Sequence, residues 1–194
     1  MFKHAVGFMD LEGRQNEKTL TELALVIYNN DQVKVFHRYI KVSYKNKYRC
    51  NADAKYCHGL NYKFLNVNGC CLKHVLDSFR EIININHINY IYANGSHDIK
   101  EFINFAKITN VTVVDLKLPT WDKRLLTFAN IEAHKIKHSR NNPCKYFLSH
   151  APLCQQSYSH NRYKRGPHCA LVDAWEVYLT YKKSYNSLDF IEIL

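Results

Sequence analysis

Three strand-like apolar runs lie within the first 42 residues, with room only for short connections between them. Residues 4–9 are mostly apolar, 22–28 are rich in branched side chains, and 33–42 alternate apolar with polar. Such runs read as strands, and Asn29-Asn30-Asp31 supplies a turn between the second and third. A chain that opens this way is committed to an antiparallel meander. Beyond residue 70 the chain alternates helix and strand. Leu72, Val75, Leu76, Phe79, Ile82 and Ile83 carry helical spacing over 72–85. Residues 88–93 read as a strand, 98–107 as a helix with Ile99, Phe102, Ile103 and Ala106 on one face, and 111–116 as another strand. Residues 121–137 read as a helix with Leu125, Leu126 and Phe128 toward the core, and 146–158 as a helix interrupted by Pro152. A last helix spans 169–181, with Ala170, Val172 or Asp173, Val177 and Tyr178 bracketing its faces. Residues 45–68 read as irregular, basic and tyrosine-rich. The order predicts an α/β protein with a mixed five-stranded sheet: a three-strand antiparallel meander, then parallel strands, flanked by helices.

At 194 residues the chain suits one domain over 1–194, with no repeat or Gly/Ser/Pro linker to divide it. It carries 27 Lys and Arg against 17 Asp and Glu, a formal net charge of +10. That surplus favours a polyanion as partner, nucleic acid first. No apolar run approaches the roughly 18 residues of a membrane span, and an acidic motif comes within ten residues of the start. The expectation is an intracellular protein, cytoplasmic or nuclear, neither secreted nor bound to a membrane. Seven cysteines, an odd number, fit reduced thiols or metal ligands better than a disulfide framework.

The acids carry the chemistry. Phe8-Met9-Asp10-Leu11-Glu12 puts two carboxylates two residues apart at the end of the first strand, where i and i+2 share a side. Two acids held together repel unless cations lie between them. Asp98 comes after the Asn94-Gly95-Ser96 turn that ends a strand, and it opens a helix, a position that suits a helix cap as well as a metal ligand. His168 and Asp173 stand at the start of the last helix.

Together the three pieces resemble the DEDDh family of 3′–5′ exonucleases, whose fold is ribonuclease-H-like. The resemblance runs from Asp10 to about Tyr181, and its most specific motif is His168-Cys169-Ala170-Leu171-Val172-Asp173-Ala174. His58-Gly59-Leu60-Asn61 resembles the family's His-Gly-(Ile/Leu)-Thr stretch, with Asn61 where Thr is usual. The resemblance implies that Asp10, Glu12, Asp98 and Asp173 hold two Mg²⁺ or Mn²⁺ ions and that His168 is the general base. It implies hydrolysis from the 3′ end to nucleoside 5′-monophosphates.

Two zinc-bearing branches are closer still, the exonuclease domain of arenavirus nucleoproteins and the Maelstrom domain. Both hold a structural Zn²⁺ with a Glu-Cys-His-Cys set. Glu22 and Cys169 match its first and last positions, and residues 144–160 offer Cys144, His150, Cys154 and His160 for the middle pair. The usual Cys-x-x-His spacing is broken here. The set favoured is Glu22, Cys154, His160 and Cys169, a donor mix that suits closed four-coordinate zinc. These relatives act on or bind RNA, which favours RNA over DNA. Arg14, His58, Asn94, Arg162, Lys164 and Arg165 are the candidate nucleic-acid contacts. The competing expectations are an inactive Maelstrom-like RNA-binding domain and an endoribonuclease on the same fold.

Overall fold

The computed structural model describes residues 5–13, 19–29, 32–53, 59–117, 123–137 and 168–188. Five strands form one sheet: β1 (Val6–Glu12), β2 (Glu22–Asn29), β3 (Gln32–Tyr39), β4 (Tyr90–Ala93) and β5 (Thr112–Asp115). Their order is β3-β2-β1-β4-β5. β1, β2 and β3 pair antiparallel, whereas β4 runs parallel to both β1 and β5. The expected mixed sheet is therefore the observed one.

Alternation along the strands sorts side chains to two faces. One face carries Met9, Leu23, Leu25, Ile27, Phe36 and Ile91 against α3 (Leu72–Ile85) and α4 (Ser96–Phe105). Phe79 and Phe102 meet there edge to face at 5.3 Å, both fully buried. Burying one such side chain is worth roughly 1.5–3 kcal/mol. The other face carries Phe8, Ala24 and Val26 against α5 (Lys123–Lys137) and α6 (Ala170–Leu188). On α6, Ala170, Ala174, Val177 and Tyr178 follow an i, i+4, i+7, i+8 stripe and are buried. The helix therefore lies close on the sheet and brings Asp173 down beside β1.

Three expectations need correction. Residues 45–53 and 62–68 are helical rather than irregular. A 3-10 turn at Tyr44–Asn46 leads into α1 (Lys47–Asp53), and α2 (Tyr62–Asn68) comes next. Seven residues per helix are too few to show a period. The helices are anchored instead by a small core of Tyr39, Val42, Cys50, Leu60 and Leu65. Phe128 does not face the core but is 49% exposed among the described residues. The buried stripe of α5 is Leu126, Ala129, Asn130 and Ala133, and Phe128 lies about 200° round the helix from Leu126. Finally, α6 runs to Leu188 rather than stopping near Tyr181. The apolar stripe ends there, but Lys182-Lys183-Ser184-Tyr185 contains no Gly or Pro to stop the helix. The predicted helix over 146–158 and the turn residues Asn30 and Asp31 lie outside the described residues. Among the described residues no helix is long and apolar enough to cross a membrane.

Candidate metal centre

β1 delivers two acids to the α6 face. Phe8 marks that face by packing on Tyr178 at 5.3 Å. Asp10 and Glu12, two and four residues on, share it. In register, Asp10 faces Ala24 and Glu12 faces Glu22. The backbone at Glu12 is fixed from outside the strand. Thr21 donates to the Glu12 carbonyl through its backbone N–H at 2.8 Å and its hydroxyl at 3.0 Å. Gly13 makes this closure possible. Its φ is +87°, and a Cβ there would lie 2.1 Å from the Thr19 carbonyl oxygen, so a side chain is excluded by both conformation and space.

The last helix completes the cluster. Asp173 sits in the first turn of α6, and its N–H donates to the Cys169 carbonyl at 3.0 Å. His168 precedes the helix, 59% exposed, with Nδ1 3.5 Å from Asp173 Oδ2. Ligand atoms of Glu12, His168 and Asp173 all lie within 4.8 Å of one another. Asp10 is partly buried beside them. Its carboxyl is held well above the ordinary range, first by burial, then by the charges of Asp173, Glu22 and Asp98, against an opposing hydrogen bond from the Leu11 backbone. This is a site crowded with negative charge.

Asp98 arrives from the third direction. Gly95, at φ +83°, is the N-cap of α4, and its N–H donates to Asp115 Oδ1 at 3.1 Å. Asp98 lies in the first turn, exposed, within 4.8 Å of ligand atoms of His97 and Glu101. It does not join the close group of Glu12, His168 and Asp173. Its charge nonetheless reaches Asp10. Asn94 is exposed in the turn between β4 and α4.

Glu22 is fully buried and differently served. His37 Nε2 lies 2.7 Å from Glu22 Oε1, with both side chains only 1% exposed. The Ala170 N–H reaches Glu22 Oε2 at 3.3 Å. Cys169, next to Ala170, is buried. Sequence reasoning missed His37. The signal was present: it is the polar residue at an inward position of β3, opposite Ala24, whose small side chain leaves it space. Asp115 was missed too, since a single acid at a strand end has no pattern. Arg14, His58, Cys154, His160, Arg162, Lys164 and Arg165 lie outside the described residues, as do the alternatives Cys144 and His150.

Against known proteins, residues 3–179 match the family model of the arenavirus nucleocapsid C-terminal domain. The chain belongs to that family. No curated protein matches it in sequence. Among solved structures it resembles the Mopeia virus exonuclease domain partially complexed with manganese, at 17% identity and a TM-score of 0.59, over 94% of this chain and 79% of that one. The same viral domain depleted of manganese matches at 17% identity and 0.58, over 92% and 76%. Soaked with alendronate, it matches at 18% and 0.57, over 92% and 78%. The arenavirus nucleocapsid C-terminal fold is thus what brings β1, α4 and α6 to one end of this sheet. The departure at Asn61 also has a local explanation. Its Oδ1 caps α2 by accepting the Phe64 N–H at 3.0 Å, a task that Asn and Thr side chains share.

Proposed function

We propose that this domain is a metal-dependent 3′–5′ exonuclease that hydrolyses nucleic acid, RNA in preference, to nucleoside 5′-monophosphates. The observation that carries this reading is the meeting of Glu12, His168 and Asp173 within 4.8 Å, next to Asp10. The family supports it, and so does the manganese in a Mopeia virus exonuclease domain of the same fold.

The donor set fits hard divalent ions. Carboxylates from two separate elements, β1 and α6, lie close together, with His168 the one imidazole in the close group among the described residues, and the charge of Asp98 on α4 reaches Asp10. Asp10, Glu12, Asp98 and Asp173 would hold two Mg²⁺ or Mn²⁺ ions. Such ions, when bound, activate water and offset charge on the phosphodiester. The chain's own groups do the rest. Asp173 at Nδ1 of His168 leaves Nε2 to take a proton from the attacking water. The exposure of His168 lets its ring reach a substrate at the open side of the cluster. Burial of Glu12, and the two Thr21 hydrogen bonds on its carbonyl, hold the acids in place before substrate arrives. The exposed Asn94 and the basic Arg14, His58, Arg162, Lys164 and Arg165 are the proposed contacts to the strand.

A structural zinc on Glu22, Cys154, His160 and Cys169 belongs to the same reading. Both Glu22 oxygens already have partners, His37 and the Ala170 N–H. Each carboxylate oxygen keeps a second lone pair for a cation, and metal analysis of the folded protein at a stoichiometry near zero would remove zinc from the reading. The site of action on this reading is inside the cell.

The test is a 5′-labelled single-stranded RNA incubated with Mn²⁺ or Mg²⁺. The expected product is a ladder shortening from the 3′ end, absent with Asp10→Ala, which remains folded. Binding without cleavage would instead indicate an RNA-binding domain, and internal cuts an endonuclease.

A further inference from the structure

Part of the charge surplus lies in a segment of which the catalytic reading uses only His58. Residues 43–68 hold five basic side chains, Lys45, Lys47, Arg49, Lys55 and Lys63, against the single acid Asp53. Between α1 and α2 lies an open pocket of about 520 Å³ lined by Lys47, Asn51, Asn61, Tyr62, Lys63 and Asn66, among others.

Two of its three asparagines present the same sense. Asn51 Oδ1 accepts the Tyr62 N–H at 2.8 Å, and Asn61 Oδ1 accepts the Phe64 N–H at 3.0 Å. The two amide oxygens are thus committed to backbone, which leaves the amide NH₂ groups to donate. Lys47 and Lys63 add ammonium donors, and among the described residues no acid lines the pocket. A site in which donors predominate selects a ligand rich in acceptors, and a phosphate fits. Aromatic rings stand beside those donors. Lys47 Nζ lies 5.5 Å from the Tyr44 ring centre and 6.0 Å from that of Tyr62. Tyr44 is 73% exposed and Tyr48 85%. Exposed rings next to phosphate donors are what an unpaired base stacks on.

The pocket also lies on the catalytic side of the sheet. Tyr39, at the end of β3, pairs in register with Glu22, and Glu22 with Glu12. Two strand spacings, roughly 10 Å, separate Tyr39 from Glu12. The Tyr39 ring meets His37 at 4.8 Å and Phe64 of α2 at 5.1 Å, both edge to face. The α1–α2 pair therefore packs on the face that carries Asp10 and Glu12.

We propose that this pocket binds one nucleotide unit of a single-stranded nucleic acid, upstream of the end held at the carboxylate cluster. Lys47 and Lys63 take the phosphate, and Tyr44 and Tyr62 take the base. The proposal rests on the exonuclease reading for its direction along the strand. A free nucleotide offers the same phosphate and base, so the experiment separates the two sources.

The full chain is titrated in EDTA, where nothing is cleaved, against a fluorescein-labelled 12-nucleotide single-stranded RNA. The Lys47→Ala/Lys63→Ala variant is compared with Lys73→Ala, an exposed lysine on α3 across the sheet. The double variant is expected to bind about tenfold more weakly and to lower the salt slope by about 0.7, one phosphate's worth. Tyr44→Ala is expected to lose about fivefold. Lys73→Ala should change neither. Unchanged 12-mer binding in the double variant overturns the proposal, and so does an equal loss in Lys73→Ala. Displacement of the 12-mer by nucleoside monophosphate at matching concentrations overturns the strand assignment. If no variant or wild-type protein cleaves RNA, the exonuclease reading falls while the binding data still decide the pocket.

Discussion

Glu12 and Glu22 are cross-strand partners on one sheet face, and their surroundings are opposite. Like charges directly across a ladder repel, so each needs an answer. Glu22 has one within the protein, His37 on one oxygen and the Ala170 N–H on the other. Glu12 instead meets Asp173 and His168, with Asp10 one turn of the pleat away on the same side. Asp10 in turn feels three further carboxylates. One half of this face is a finished structural joint between β2, β3 and the start of α6. The other half is left charged, a state that folding alone does not favour and cations would relieve. The contrast teaches that adjacent carboxylates are told apart by what lies on their far side.

The largest expected effect comes from exchanging the proposed catalytic glutamate for glutamine. Glu12→Gln should lower hydrolysis about a thousandfold, some 4 kcal/mol of barrier, while the urea midpoint stays near wild type. Equal activity in Glu12→Gln and wild type would erase the contrast. Next is the structural joint. His37→Ala leaves a fully buried carboxylate without its 2.7 Å partner, and losses of that kind run to about 3–5 kcal/mol. Urea unfolding reads it directly, and a loss below about 1 kcal/mol, the level of an exposed pair, would show the pair to be ornamental.

The smallest effect concerns Asp10 in the absence of metal. Its folded carboxyl lies above its unfolded value, so its contribution favours folding at low pH and is lost as pH rises through the folded value. Asp10→Asn should therefore melt higher than wild type in EDTA at neutral pH. The gain should shrink as pH falls toward about 4, the unfolded carboxyl range. A variant that melts lower at neutral pH would mean that Asp10 is paired rather than crowded.

Much of this arrangement was legible in the residues. Long periodic segments were plain: the helix over 72–85 matches α3 residue for residue, because six apolar positions span about three turns. The Asp10-x-Glu12 pair was legible because strand alternation needs no tertiary knowledge. What escaped depended on partners distant in the chain. His37 gains its role only from Glu22 fifteen residues earlier and from the space above Ala24. The α1 and α2 helices escaped because short helices are stabilised by a few anchors, here Cys50, Leu60 and Leu65, rather than by a stripe. Phe128 shows that size does not set direction; α5 buries its small residues, Ala129 and Ala133.

The most direct measurement is a Mn²⁺ titration of the metal-free chain, with unbound ion counted by electron paramagnetic resonance. The account predicts uptake of about two ions per chain, sharply reduced in Glu12→Gln and in Asp173→Asn. Uptake by wild type no greater than by those variants would contradict it.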